Sequence, residues 1–252
     1  MGEFEEALKK YQMSSVQHYE TDELYLNIIA NINANSVTFS DCPDGYLVKG
    51  NTLYILEHFE HDSSSKNRKG SKSRSEQGRV NRDFENYTAE SGGFHDKLNI
   101  NPTAGDYITN ALDIMDDHIG KIPTYIKNLR SKNLVNGDVP LKVGFYIEDA
   151  TLLGNYQLPR LEGLKPLFLT QCKQFLDKFE TCECLDYCFC ASSYGINDLA
   201  TLFSDNPFPP MKRAVNFISK ASIQKYRDIQ VDICNIDFRT YRPRVFGEKY
   251  SL

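Results

Sequence analysis

Cys42-Pro43-Asp44-Gly45-Tyr46-Leu47-Val48-Lys49-Gly50-Asn51-Thr52-Leu53-Tyr54-Ile55-Leu56-Glu57-His58-Phe59-Glu60 is the stretch that decides the fold. Two β-rich runs flank Gly50-Asn51, a pair suited to a two-residue hairpin turn. With that turn as the loop, Lys49 pairs with Thr52, Val48 with Leu53, Leu47 with Tyr54, Tyr46 with Ile55 and Gly45 with Leu56. The next pair outward is Asp44 with Glu57. Directly opposite residues on a hairpin share a face, with Cβ atoms about 4.5–5.5 Å apart. The register therefore predicts two carboxylates side by side at the open end. Like charges that close repel. Hard cations such as Mg2+, which take oxygen ligands, relieve such a pair.

Around the hairpin the chain reads as alternating helix and strand. Residues 3–12 predict a short helix with acids first and lysines later, which suits the helix dipole. A second helix is expected from about Thr21, with Glu20, Asp22 and Glu23 at its start. Strands at 36–39, 45–49 and 52–59 make a meander. A helix is expected from about 104 to 119, ended by Gly120 and restarted by Pro123 to about 134. Buried strands are expected at 141–147 and 187–191, an amphipathic helix at 164–179, a short helix at 198–203 and a strand at 229–236. This alternation predicts an α/β fold, a mixed central sheet flanked by helices, in a single domain over 1–252.

Helix, meander with Pro43-Asp44 at the start of its second strand, Leu56-Glu57-His58-Phe59 on its third, then helix and strand: this order resembles the PD-(D/E)XK nuclease superfamily, the restriction-endonuclease-like fold. The resemblance covers about 20–148 and implies an αβββαβ core, leaving about 150–252 as a C-terminal α/β extension. It implies that Asp44 and Glu57 hold Mg2+ or Mn2+, that a glutamate of the first helix (Glu20 or Glu23) supports them, and that the metal activates water against a phosphodiester of DNA. The family's lysine, two positions after the strand acid, falls on Phe59. Glu60 brought round by a bulge, or a lysine from elsewhere such as Lys49 or Lys66, would stand in for it. Without either, the fold would serve as a nucleic-acid- or protein-binding module.

Residues 63–75 carry five basic side chains, no acid and no apolar residue, the composition of a flexible loop. It follows directly on the Glu57 strand. Lys66, Arg68, Lys69, Lys72 and Arg74, extended by Arg79 and Arg82, are the candidate contacts to DNA phosphates. The net charge of −5 argues against bulk, non-specific affinity for nucleic acid, so such contacts must be local.

No run approaches the ~20 apolar residues of a membrane span, and the acidic N-terminus is unlike a signal peptide. Seven cysteines without an export signal are read as reduced thiols of a cytoplasmic protein. The spacing of Cys182, Cys184, Cys188 and Cys190 matches no usual zinc pattern, and the last two are expected as small buried hydrophobes. Beyond 150, a homodimer interface and a specificity region are both open readings.

Overall fold

The computed structural model of the protein describes residues 2–11, 16, 18, 22–61, 104–132, 139–149, 156–160, 163–166, 168–195, 211–230, 232 and 239–240. The elements are α1 (Glu3–Tyr11), α2 (Glu23–Asn27), β1 (Thr38–Phe39), β2 (Gly45–Lys49), β3 (Thr52–His61), α3 (Ala104–Ser131), β4 (Leu141–Asp149), β5 (Tyr156–Arg160), β6 (Gly163–Pro166), α4 (Lys173–Thr181), β7 (Tyr187–Gly195), β8 (Met211–Ser219), α5 (Ile223–Arg227) and β9 (Arg239–Thr240). Six strands form one mixed sheet in the order β1-β2-β3-β4-β7-β8. β1, β2 and β3 pair antiparallel, β3, β4 and β7 parallel, and β8 returns antiparallel to β7. The protein is thus α/β with an open sheet flanked by helices. A smaller sheet, β6-β5-β9, was not foreseen.

The β2–β3 hairpin has the register its turn residues predict, from Lys49↔Thr52 to Gly45↔Leu56. Gly50 has φ of 58°, a left-handed conformation that glycine adopts without strain. Strand alternation sorts the sheet into two faces. On one, Leu53, Ile55, Phe59, Val143, Phe145, Ile147, Cys188 and Cys190 pack against α3 and α4. On the other, Leu47, Tyr54, Leu56, Tyr146, Phe189 and Phe217 pack against α1 and α2. Burying each such side chain contributes about 1.5–3 kcal/mol. The two apolar layers therefore hold helices on both sides.

Close approach decides the sheet's centre. The Tyr187 ring lies over Gly144 of β4, where a Cβ would meet ring carbon at 2.0 Å. Its hydroxyl donates to the Ile55 carbonyl of β3 at 2.8 Å.

Three helical expectations need correction. The expected break at Gly120 is absent, and α3 runs unbroken from Ala104 to Ser131 with Pro123 inside. Proline in a helix interior costs about 3 kcal/mol. Met115, Ile122, Tyr125 and Leu129, all buried on the sheet, outweigh that cost. The amphipathic helix expected at 164–179 is instead strand β6, a 3-10 turn Leu169–Gln171 and the shorter α4. Pro166 lacks an N–H and disfavours helix before it, and the Gln171 side chain accepts from the Phe168 N–H at 3.1 Å just ahead of α4. The second helix begins at Glu23, with Asp22 as its cap. Ile229 and Gln230 lie in the turn after α5, while most of the expected 229–236 strand and the 198–203 helix lie outside the described residues.

Candidate active site at the open end of the hairpin

β2 and β3 stop pairing at Gly45↔Leu56, and the two acids lie just beyond. The Asp44 N–H donates to Glu57 Oε2 at 3.2 Å, and the His58 N–H donates to Asp44 Oδ2 at 2.8 Å. Side chains thus replace the ladder bonds there. The Asp44 carboxyl has a raised pKa, first because burial disfavours its charge and second because Glu57 stands close. The hydrogen bond from His58 opposes that rise only in part.

Glu57 points to the α3 face. It is 6% exposed. Its Oε1 accepts from the Tyr125 hydroxyl at 2.6 Å and lies 3.0 Å from His118 Nδ1. Burial and the bond to Glu57 push the Tyr125 phenol well above its usual range, so it stays a donor. Helix α3 supplies both groups because residues 118 and 125, two turns apart, share its inner stripe. Beside this stripe stand exposed Lys121, whose charge is felt at the Cys42 thiol, and Asn128, which donates to the Cys42 carbonyl at 3.2 Å.

Phe59, where the resemblance puts a lysine, is buried on this face and stacks on His118 with ring centroids 4.6 Å apart. The β3–β4 ladder is continuous from Leu53↔Leu141 to His61↔Asp149. No bulge turns Glu60 round, so it stays exposed on the face opposite Glu57. Lys49 sits beside the Gly50 turn, five strand residues from Asp44, about 17 Å at strand rise. Neither Glu60 nor Lys49 replaces the lysine.

On the α1 face an open cleft of about 370 Å³ is lined by Glu3, Phe4, Phe39, Asp41, Asp44 and His58, among others. His58 stacks on Phe4 at 5.5 Å, and its Nε2 lies 3.4 Å from Glu148 Oε2. Lys10 of α1 also binds Glu148. Burial opposes ionising Glu148, but the bonds from His58 and Lys10 win and bring its pKa down to about 2.

Of the first-helix glutamates, Glu23 does not join this arrangement. Glu23 is exposed at the start of α2, whose cap Asp22 is bonded by Ser219 on β8 at 2.5 Å. Glu20, Lys66, Arg68, Lys69, Lys72, Arg74, Arg79 and Arg82 lie outside the described residues. The sequence alone did not single out His118, Tyr125, Glu3, Lys10, Asp41 or Glu148.

Among the described residues no group of three or more His, Cys, Asp or Glu side chains is arranged to hold a metal ion. What the hairpin end offers is two neighbouring acids, joined by the bond from the Asp44 N–H to Glu57, one of them resisting ionisation and lining an open cleft. That donor chemistry fits Mg2+, which is commonly held by one or two carboxylates and keeps several waters. Among the described residues no helix is long and apolar enough to cross a membrane. Comparison of the chain with protein-family models, with curated proteins and with solved structures yields no match in any of the three.

Proposed function

We propose that the chain is a Mg2+- or Mn2+-dependent nuclease acting on DNA, built on a restriction-endonuclease-like αβββαβ core. The observation that carries this reading is the hydrogen bond from the Asp44 N–H to the Glu57 carboxylate, which sets the two acids beside each other at the open end of the hairpin. The order of α2, β1–β3, α3 and β4, with β4 parallel to β3, supports it. Asp44 and Glu57 would hold the ion, which when bound lowers the pKa of water and neutralises charge on a phosphate. His118 and Tyr125 fix the Glu57 carboxylate, and His58 fixes that of Asp44. The basic residues of 63–82 are the proposed grip on DNA phosphates.

Phe59 stacked on His118 favours a second reading, a nuclease-like fold that binds nucleic acid or a partner protein without cutting. Both readings meet in one experiment. Purified chain is incubated with plasmid and single-stranded DNA in Mg2+, Mn2+ or EDTA, beside Asp44→Asn and Glu57→Gln. Metal-dependent cleavage lost in both variants supports the nuclease. DNA retention in EDTA, unchanged by these variants but weakened by neutralising Lys66, Arg68 and Lys69, supports the binding module. Neither cleavage nor retention removes both nucleic-acid readings.

A further inference from the structure

Far from the hairpin, the chain reverses after α4. The Leu185 N–H donates to the Cys182 carbonyl at 3.4 Å, closing a turn over residues 182–185. Cys182 and Cys184 occupy its first and third positions, with sulfurs 3.3 Å apart. Cys182 is half-buried and Cys184 exposed. Lys220, at the end of β8, anchors the turn by donating to the Cys182 carbonyl at 2.8 Å and to the carbonyls of Phe179 and Glu180. Its ammonium also acts electrostatically on both thiols. The other described cysteines differ. Cys172, Cys188 and Cys190 are buried and their thiols are pushed up by burial, while Cys42 stands apart near the hairpin.

We propose that Cys182 and Cys184 form a redox-active dithiol that closes to an intramolecular disulfide by exchange with low-molecular-weight disulfides. Cys182, as thiolate, attacks one sulfur of the external disulfide. One thiolate leaves, and a mixed disulfide forms at Cys182. Cys184 then loses its proton to solvent and attacks Cys182 Sγ, expelling the second thiolate. Two protein thiols are oxidised and one external disulfide is reduced to two thiols. In the reduced pair, burial and the neighbouring Cys182 push the Cys184 thiol up to about 11.

Contact geometry favours this over a metal site. A disulfide bond is about 2.05 Å long, so the sulfurs need close by little more than 1 Å. A structural zinc needs four ligands, and among the described residues no third group joins the two thiols.

The test uses the full chain in glutathione buffers of increasing oxidised fraction, followed by acid quench, alkylation and peptide mass mapping. The expected result is joint oxidation of Cys182 and Cys184 within one peptide, while Cys172, Cys188 and Cys190 stay alkylatable only after unfolding. Cys184→Ser should stall as a glutathione adduct on Cys182. Circular dichroism of the variant checks that it is folded. Both thiols remaining free across the series, an adduct on Cys184 alone, or zinc retained by the pair through gel filtration would each overturn the proposal. The outcome is independent of nuclease activity.

Discussion

Residues 57 and 58 are neighbours on one strand, yet they belong to opposite environments. On the α3 face Glu57 is enclosed by Tyr125, His118 and the stacked Phe59, and its carboxylate has donors on both oxygens. On the α1 face His58 and Asp44 border a cleft, and Glu148 behind them is held ionised by His58 and Lys10. The closed face stabilises its acid. Among the acids of the open face, Asp44 is the one whose charge the fold resists. Rigidity and reactivity are thus divided between two sides of one sheet. Asp44 is the residue through which an incoming cation would gain most, since a cation lifts the repulsion from Glu57.

Removing the closed-face acid should have the largest effect. Glu57→Ala strands the Tyr125 hydroxyl, His118 and the Asp44 N–H in a buried site, a loss of about 3 kcal/mol. Thermal unfolding should fall by roughly 10 °C at this chain size. A fall below about 2 °C would show that α3 does not depend on this acid.

Glu148 tests the open side next. Its folded pKa, about 2, lies below the ordinary 4.5. The stability it contributes is therefore present above pH 4.5 and is lost as pH falls toward 2, amounting to about 3 kcal/mol. Glu148→Gln should flatten the acid limb of a chemical-denaturation profile in that window. Equal slopes for both proteins would break the assignment of His58 and Lys10 as its partners.

The smallest expected effect has the opposite sign. The raised pKa of Asp44 means that ionising it costs stability as pH rises above its ordinary value of 3.8. Asp44→Asn should raise the melting temperature by about 2–4 °C near pH 7 without divalent cations, the shift expected for ~1 kcal/mol. The gain should vanish well below pH 3.8, where aspartate is neutral too. Added Mg2+ should stabilise the unmodified chain and not the variant. A variant that melts lower at pH 7 would mean that the two acids do not repel.

The hairpin was legible residue by residue because its information is local: Gly50-Asn51 sets the turn, and alternation sets the faces. The partners of Glu57 were not. His118 and Tyr125 lie 61 and 68 residues along the chain, on a helix the sequence reading broke at Gly120. That break hid the signal. Ala111, Met115, His118, Ile122, Tyr125 and Leu129 recur at spacings of three and four, so His118 stands in an otherwise apolar and aromatic seam. A histidine there needs a buried partner, and Glu57 was the unpaired acid available. Glu148 escaped for a different reason. Its partners come from β3 and α1, and only the parallel register of β3 with β4 brings them together.

That register has a guard without a side chain. Because the Tyr187 ring occupies the space above Gly144, sliding β4 by one residue would drive Val143 or Phe145 toward it. Misaligned pairings of the sheet's centre are thus excluded by collision, and the phenolic latch on the Ile55 carbonyl closes only over the correct one. The spacing of Glu148 from His58, and with it the back wall of the cleft, is proofread by an absent methyl group.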